Sequence, residues 1–306
     1  MSKSNRESWA INKKTLMLPI IMLLVFSTIA IVLSILLSNG FYLFNFLYIG
    51  GSVSIGMFLF LAMPKKLKPL GRKISQLLVG LYMLVFLGFI QGENMQIEGF
   101  WVYIASGVFA GATIHYLVAK VAGPLFFSRG WCGWACWTAM VLDFLPYKES
   151  KKAPSKKLGA IRYVHLFLTI AFVVVVYFVL SAKNQTLKPG WELYWLIIGN
   201  ALYYLVGIVL AIILKDNRAF CKIICPIPVL MKPAARLSLL KIQVDPIKCI
   251  DCKKCEQKCP MDIKLLEYKN IGKRVCSTEC ILCNTCYSVC PTGAIKMNVG
   301  IGDKIR

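Results

Sequence analysis

Long apolar runs separated by short polar links dominate the first 214 residues. A helix needs about 20 residues to span a bilayer, and six runs reach roughly that length: residues 15–38, 41–63, 74–91, 100–122, 160–181 and 191–214. The first run is too long for a signal peptide and lacks a small-x-small cleavage site before Asn39, so we interpret it as an uncleaved helix. The pattern predicts an α-helical polytopic membrane protein with six transmembrane helices.

The basic residues lie almost entirely on one side of this topology. Of the 36 Lys and Arg residues, 34 fall in the termini, the inner links and the inner helix ends, and the opposite links carry only Lys183 and Lys188. Positively charged segments stay in the cytoplasm. The sequence therefore predicts a multi-pass protein of the cell membrane with cytoplasmic N- and C-termini. Topology accounts for the formal charge of +22, and because no recognition motif accompanies that charge, no nucleic-acid partner is expected.

The sequence changes character near residue 241. The long apolar runs end, and charged residues alternate with cysteines. We therefore divide the chain into a membrane domain, residues 1–240, and a smaller second domain, residues 241–306. The composition agrees with this division, since 58% of all residues are hydrophobic against about 45–50% in soluble domains.

The second domain contains a duplicated cysteine run. Each copy has the spacing Cys-x2-Cys-x2-Cys-x3-Cys-Pro, from Cys249 to Pro260 and from Cys280 to Pro291. In bacterial ferredoxins with this spacing, the fourth cysteine of each run ligates the other cluster. The spacing predicts two [4Fe–4S] clusters, one held by Cys249, Cys252, Cys255 and Cys290 and the other by Cys280, Cys283, Cys286 and Cys259.

A structural zinc site is the competing interpretation of these cysteines. Zinc suits Cys-x2-Cys pairs, but it does not require three evenly spaced cysteines followed by Cys-Pro, twice. The thirteenth cysteine, Cys276, lies outside the pattern and is interpreted as a spare thiol. The tail resembles the two-cluster bacterial ferredoxin domain, and this resemblance implies a small pseudo-symmetric α+β fold that transfers single electrons.

A second cysteine pattern lies just inside the cytoplasmic ends of predicted helices 4 and 6. Both copies read Arg-x-aromatic-Cys-x3-Cys, 89 residues apart, with their cysteines at Cys132, Cys136, Cys221 and Cys225. The repeat predicts pseudo-twofold symmetry. If the two halves meet, four thiolates converge, which is the ligand number of a further iron–sulfur cluster or another thiolate-bound metal. Redox-active cysteine pairs and small buried cysteines that pack a helix end remain alternatives.

The only two histidines are His115 and His165, which the predicted helices place at similar depth. Three interpretations are open: a bis-histidine haem, a quinone or proton site, and ordinary hydrogen bonds between helices. No glycine-rich nucleotide fingerprint occurs between a strand and a helix, so neither NAD nor FAD is expected.

Paired Cys-x3-Cys motifs followed by a two-cluster ferredoxin domain resemble the NapH type of membrane quinol dehydrogenase subunit and the membrane part of the NosR type. The resemblance covers residues from about 74 to 306. It implies a membrane-bound iron–sulfur electron-transfer protein, as a subunit of an oxidoreductase. Such a protein passes electrons between a cytoplasmic donor or the quinone pool and an extracytoplasmic or membrane redox partner, such as a flavoprotein or a reductase. A membrane redox or iron sensor and an assembly factor for a metalloenzyme are the alternative functions.

Overall fold

The computed structural model describes residues 9, 11–65, 67–107, 111–147, 156–182 and 190–304. Some of the basic residues used in the topology argument lie outside these ranges: Lys3, Arg6, Lys66, Lys148, Lys151, Lys152, Lys183, Lys188 and Arg306.

Helices build the described part of the membrane domain. In chain order they are α1 (Lys13–Leu36), α2 (Phe41–Ala62), α3 (Lys68–Leu81) with a π-helical continuation (Tyr82–Ile90), α4 (Ile97–Ala105), α5 (Gly111–Tyr116) with a π-helical continuation (Leu117–Ala122), α6 (Gly123–Phe127), α7 (Gly130–Trp134), α8 (Trp137–Leu142), α9 (Lys156–Ala182), α10 (Trp191–Leu214), α11 (Ala219–Ile223) and α12 (Ile227–Arg236).

Five helical segments of the described chain are long and apolar enough to span a membrane. They are Thr15–Leu36, Phe41–Ala62, Lys68–Ile90, Lys157–Val179 and Trp191–Leu214. Each coincides with a predicted span to within a few residues, except that the third begins at Lys68 rather than at residue 74. The prediction of a polytopic helical membrane protein is therefore confirmed.

The prediction of one continuous helix over residues 100–122 is wrong. Helix α4 ends at Ala105, and Gly107 has a φ of +67° that leaves the helical conformation. At its start, Gln96 packs against Gly199 in the middle of α10. Nearer its end, the Tyr103 hydroxyl donates to Glu192, at the beginning of α10. Residues 91–105 therefore dip into the helix bundle and return, and they do not cross it.

The helical run Gly111–Phe127 then passes to the opposite side of the bundle. Gly111 lies beside Phe41, at the start of α2, whereas the Leu125 carbonyl accepts a hydrogen bond from Leu239, next to the second domain. The run is continuous through α5, the π-helical segment and α6. Its 17 residues extend about 25 Å at 1.5 Å per residue, which is most of the thickness of a hydrocarbon core.

Helices α2 and α3 pack closely because each presents a glycine to the other. A Cβ atom on Gly71 would overlap the backbone of Phe60, and one on Gly56 would overlap Ser75. Small residues of this kind let helices approach in a membrane, where packing rather than water exclusion drives association. The close approach orients Arg72 and Ser75 toward α7, where Ser75 donates to the Trp134 carbonyl at 2.9 Å.

The second domain has the small α+β fold that was predicted. Strand β1 (Leu240–Val244) pairs antiparallel with β2 (Ile295–Val299), with Leu240 opposite Val299 and Val244 opposite Ile295. Three short helices lie between the strands: α13 (Lys254–Gln257), α14 (Leu265–Asn270) and α15 (Thr285–Val289). The buried core around Ile242, Ile281 and Leu282 also includes Cys132 of the membrane domain, so the two domains share one packed interior.

Charged groups join the two domains. The Glu279 carboxylate accepts from Arg129 at 2.5 Å, Arg162 at 2.8 Å and Lys232 at 3.0 Å. Lys222 lies 2.5 Å from Asp262. Because all four cations belong to the membrane domain and both carboxylates to the second domain, these contacts fix how the second domain docks.

Candidate iron–sulfur sites

The eight ferredoxin-type cysteines form two groups of four, each lining its own cavity. One cavity of about 320 Å³ is lined by what we call the distal cysteine set: Cys249, Cys252, Cys255 and Cys290. A second cavity of about 370 Å³ is lined by the proximal cysteine set: Cys259, Cys280, Cys283 and Cys286. The fold therefore brings together the predicted groups, including the exchange of the fourth cysteine between the two runs.

The two cysteine loops adopt the same backbone conformation. Asp251 and Lys253 have positive φ in the first loop, and Leu282 and Asn284 occupy the equivalent positions with positive φ in the second. Residues with positive φ turn the chain sharply, so that the first three cysteines of each run face the same side of the loop.

The fourth cysteines are also equivalent. The Cys259 sulfur accepts from the backbone N–H of Ile263 at 3.4 Å, and the Cys290 sulfur accepts from Ala294 at 3.3 Å. Such donors stabilise negative charge on sulfur.

The spread of the sulfur atoms favours clusters over single metal ions. Among the described residues, no three histidine, cysteine or carboxylate side chains are placed to hold one metal ion. A zinc ion would draw its thiolates to about 2.3 Å, whereas the thiolates around a four-iron cluster bind different iron atoms. The cavities enclosed by the distal and proximal sets suit a group of that size.

Burial makes four of these thiols reluctant to ionise without a cation, because it raises the pKa values of Cys255, Cys259, Cys280 and Cys286. Desolvation raises the pKa of Cys259 to about 11 and that of Cys280 to about 12. Iron binding supplies positive charge and deprotonates a coordinating thiol. The buried sulfur atoms therefore suit metal ligands better than reactive free thiols, which sit in electropositive, partly exposed surroundings.

The membrane domain brings its own four cysteines together. Cys132, Cys136, Cys221 and Cys225 all line one pocket of about 600 Å³, and we call them the membrane cysteine set. The two motifs are built alike, since Arg129 caps α7 and Arg218 caps α11, and each of these five-residue helices ends just before the second cysteine. The predicted internal repeat is thus present in the backbone, and its two halves meet.

Unpaired donors line the same pocket. In the part of the chain that the structure describes, the Gln96 amide nitrogen, the Trp131 indole nitrogen, the Tyr203 hydroxyl and two guanidinium nitrogens of Arg129 have no hydrogen-bond partner. A buried donor without an acceptor costs about 1–3 kcal/mol. These atoms therefore suit a pocket that contains an acceptor-rich group, and the sulfides and thiolates of an iron–sulfur cluster are acceptors.

Buried positive charge surrounds the membrane cysteine set. Lys120 is 2% exposed and lies over the Trp131 ring, 4.2 Å from its centroid. Arg129 is fully buried, and a nitrogen of Arg218 lies 3.8 Å from the Cys221 sulfur. Arg129 and Arg218 also pair with Glu279 and Asp143. Among the ion pairs of the described residues, Lys120 has no carboxylate partner, and a buried charge is costly without a counter-charge. Four thiolates around an iron–sulfur cluster carry net negative charge, so the pocket fits such a group in charge as well as in donor atoms.

A buried ion-pair network holds the first motif against the second. Asp143 accepts from Arg72 at 2.5 Å and from Arg218 at 2.6 and 2.7 Å. The same arginines donate to the carbonyl oxygens of Gly133 and Cys132 at 3.0 and 3.1 Å. Burial alone would raise the pKa of Asp143, but the two guanidinium groups outweigh it and lower the pKa to about 2.

The described contacts do not bring the two histidines together. His115 is 2% exposed and packs between the rings of Phe46 and Trp131, and neither of its ring nitrogens has a partner among the described residues. The His165 Nδ1 atom lies 2.9 Å from the Ile224 carbonyl, and its ring contacts Tyr203. The predicted spare thiol, Cys276, is partly buried and lines none of the three cysteine cavities.

Sequence reasoning identified the sulfur atoms but not the groups that support them. The roles of Arg72, Lys120 and Asp143 were missed. So was the role of Gln96, which lies in the segment that enters the helix bundle and returns, residues 91–105, called the dipping segment below. One signal was present in the sequence, because an arginine stands three residues before the first cysteine of both Cys-x3-Cys motifs. A positive charge repeated at the same position beside two membrane helix ends indicates that each arginine binds a polar or negatively charged group in the protein interior.

Comparison with known families agrees with this geometry. Residues 241–299 match the family described as a 4Fe-4S dicluster domain. Residues 109–159 and 200–244 match the family described as a 4Fe-4S binding domain. The second match contains both Cys-x3-Cys motifs, one in each matched segment.

Three known proteins are similar in sequence to 60% or more of this chain. Two are the uncharacterised proteins MJ0749 and MJ0750 of Methanocaldococcus jannaschii. They are 29% and 30% identical over 74% of this chain, covering 86% and 94% of their own lengths. The third is Escherichia coli YccM, whose name assigns it provisionally to electron transport, at 26% identity over 60% of this chain and 54% of its own. No solved structure matches the chain.

Proposed function

The chain belongs to the same family as protein MJ0750 of Methanocaldococcus jannaschii, and from that premise we propose that it is a membrane-bound electron carrier with three iron–sulfur sites. It passes electrons between a cytoplasmic donor or the quinone pool and an extracytoplasmic or membrane redox partner. The dicluster match and the likeness to YccM support iron–sulfur electron transfer as its chemistry. When bound, iron–sulfur clusters supply single-electron transfer.

The observation that carries the third site is the pocket lined by the membrane cysteine set. Four sulfur atoms from two equivalent motifs share it with unpaired donors and buried cations. A packing role for these cysteines would not require the ammonium group of Lys120 to be buried beside them, since small apolar side chains need no counter-charge. The distal, proximal and membrane cysteine sets would hold one cluster each.

The contacts between the sets support a shared path. Cys132 belongs to the same buried cluster of side chains as Cys283 and Cys286 of the proximal set. The Trp134 indole donates to the Leu282 carbonyl at 2.9 Å, and Leu282 also lines the proximal cavity. The chain thus keeps the proximal and membrane sets in packed contact. The two histidines carry no part of this proposal, because the described contacts do not bring them together: His115 packs between Phe46 and Trp131, whereas His165 lies beside the Ile224 carbonyl.

Iron content tests the proposal. Three four-iron clusters correspond to about 12 iron atoms per chain, and the distal and proximal sets alone correspond to about eight. We expect the Cys132→Ser/Cys221→Ser variant to fall from the first value to the second while keeping the reduced-state spectrum of the other two clusters. Cys276→Ser is the matched control and should keep all its iron. Equal iron in the wild type and the double variant would contradict the third site.

A further inference from the structure

The proximal cavity lies against the membrane domain, since Leu282, which lines it, accepts a hydrogen bond from Trp134. Leu239, just before β1, bonds to Leu125 of the membrane domain. Val244, at the other end of β1, lines the distal cavity together with Ile295. The distal cavity therefore lies at the end of β1 away from the contact between Leu239 and Leu125.

Exposure of the cysteines follows the same direction. Cys252 of the distal set is exposed, and Cys249 and Cys290 are partly exposed. Cys255 of the distal set is buried. In the proximal set, Cys283 and Cys286 are buried and the other two cysteines are partly exposed, so Cys252 is the one exposed cysteine of the eight. Electrons exchanged with a soluble protein therefore have their shortest route at the distal set.

Apolar and basic side chains surround the exposed distal cysteines. Ile247 and Ile250 are 94% and 64% exposed, and Lys248, Lys253 and Lys254 are exposed beside them. We call these five residues the distal face. An apolar centre with a charged rim is the usual anatomy of a protein interface.

The charge of the domain is distributed unevenly. Of its seven acidic residues, Asp262 and Glu279 pair with the membrane domain, and Asp251 and Asp303 pair with Lys269 and Lys241. The lysines of the distal face have no ion pair among those described. Two acidic residues of the domain thus dock on the membrane domain, and residues 247–254 around the distal cysteines carry three lysines against one aspartate, so this surface is basic.

We propose that the distal face is the docking surface for a small acidic one-electron carrier protein. This inference rests on the proposed function, which supplies the redox chemistry, and adds the class of partner and the place where it binds. Complementary charge would steer the carrier toward Cys252 and would give association that weakens as salt increases. The exposed isoleucines would form the apolar centre of the contact.

Binding of two probe proteins to the full chain in lipid nanodiscs tests this inference. The probes are an acidic [4Fe–4S] ferredoxin and the basic protein cytochrome c. We expect the ferredoxin to bind and its affinity to fall with salt, and we expect cytochrome c not to bind. The Lys248→Glu/Lys254→Glu variant should bind the ferredoxin about tenfold more weakly or worse, because it reverses charge on the rim.

The matched control is Lys65→Glu/Lys157→Glu, which makes the same charge change at exposed positions of the membrane domain. It should bind like the wild type. Salt-independent binding, or equal loss in both variants, would overturn the inference. The inference would also be overturned if the Lys248→Glu/Lys254→Glu variant kept its ferredoxin binding but lost self-association or binding to anionic lipid. The distal face would then bind a second copy of the chain or a membrane.

Failure of this inference can be told apart from failure of the proposed function. Iron content and the reduced-state spectrum are measured on each preparation before binding. A wild type without ferredoxin-type clusters would contradict the proposed function. A fully loaded wild type that ignores the acidic probe would contradict only the docking surface.

Discussion

Asp143 is the residue on which the arrangement of the membrane cysteine set depends most. It is 7% exposed and is the carboxylate shared by Arg72 and Arg218. Those arginines hold backbone carbonyls of the first Cys-x3-Cys motif, while Arg218 belongs to the second. A single carboxylate therefore ties both motifs to α3.

Removing the charge of Asp143 should separate the motifs. Asp143→Asn leaves two buried guanidinium groups without their counter-charge, which costs about 3–5 kcal/mol. We expect a lower midpoint of thermal unfolding for the membrane domain and loss of the iron of the membrane set, with about eight iron atoms retained. Glu267→Gln removes an exposed carboxylate and is the control, with an expected change within about 0.5 kcal/mol. An unchanged Asp143→Asn protein would show that the network is not needed.

The same carboxylate predicts a pH dependence. The pKa of Asp143 is lowered to about 2 in the folded protein, against about 3.9 for an unperturbed aspartate. The contribution of Asp143 to the free energy of unfolding is therefore complete above its pKa in the unfolded chain. It is lost as the pH falls toward its pKa in the folded protein. Between these values the wild type should lose stability more steeply than Asp143→Asn, as measured by thermal unfolding across that pH range. Parallel pH curves would contradict this assignment.

The residues differ in how far the sequence could predict them. The structure groups the ferredoxin-type cysteines as the sequence predicts, because the spacing of each run is local and the exchange between runs is characteristic. Asp143 was missed because its partners lie 71 and 75 residues away. No local pattern records such a contact. Lys120 was interpreted as a residue at a helix end, whereas its ammonium group is buried among aromatic rings.

At the scale of elements, α7 connects the membrane domain to the second domain. Gly133 lies against the second cysteine loop so closely that a Cβ atom would overlap the Ile281 carbonyl oxygen. That carbonyl belongs to the loop between Cys280 and Cys283 and cannot move independently of the proximal set. Gly130, one turn earlier, is less crowded, because its Cβ would lie 3.4 Å from Phe127 and 4.0 Å from Leu282.

The two glycines give a matched pair of variants. Gly133→Ala should push the second domain away from α7, weakening the Trp134–Leu282 hydrogen bond and slowing electron exchange between the domains. Gly130→Ala should be tolerated, because its new methyl group makes ordinary contacts and alanine favours the helix. Limited proteolysis of the link between the domains and iron content report on docking and on cluster retention. Equal behaviour of the two variants would show that the close approach at Gly133 is not required.

The dipping segment marks the limit of prediction at this scale. Hydropathy is nearly continuous from residue 97 to residue 122, so the run resembles one span. The break depends on Gly107, and the dip depends on the contact between Gln96 and Gly199 in α10. The polar residues Asn94 and Gln96 were available as a signal, but their burial follows from packing against α10. Long uninterrupted helices such as α10 were predicted accurately because nothing competes with their local pattern.

At the scale of the whole molecule, the basic residues have two roles. Arg129, Arg162, Lys222 and Lys232 were interpreted as markers of the cytoplasmic side. In the folded protein they pair with Glu279 and Asp262 of the second domain. These four basic residues, which the sequence predicts to orient the membrane domain in the bilayer, therefore also hold the second domain in place.

The number of crossings decides the relative position of the two termini. Five long helices alone would place the termini on opposite sides, whereas a sixth crossing by Gly111–Phe127 would place them on the same side. We expect green fluorescent protein to be fluorescent when fused to either end, and alkaline phosphatase to be active when inserted within residues 183–189. A fluorescent C-terminal fusion combined with an inactive N-terminal one would show that Gly111–Phe127 does not cross.

The proximal cysteine set packs against Cys132 of the membrane set, and the distal set includes the exposed Cys252. This order predicts how variants divide electron transfer. Cys136 lines only the membrane pocket, so Cys136→Ser should keep the distal and proximal sets loaded and should still take electrons from a soluble reductant. It should fail to pass them to a quinone or an extracytoplasmic partner. Cys255 lines only the distal cavity, so Cys255→Ser should lose about four iron atoms and should stop turnover with a soluble donor.

Rapid-mixing kinetics on purified protein in lipid can separate these steps. Reduction of the distal and proximal sets is observed first, and delivery of electrons to the acceptor is observed later. Cys276→Ser should match the wild type in both steps, since its sulfur lines none of the three cavities. Delivery at the wild-type rate by Cys136→Ser would remove the membrane set from the path. The pocket would then have a packing role, and the burial of Lys120 beside four sulfur atoms would need another counter-charge.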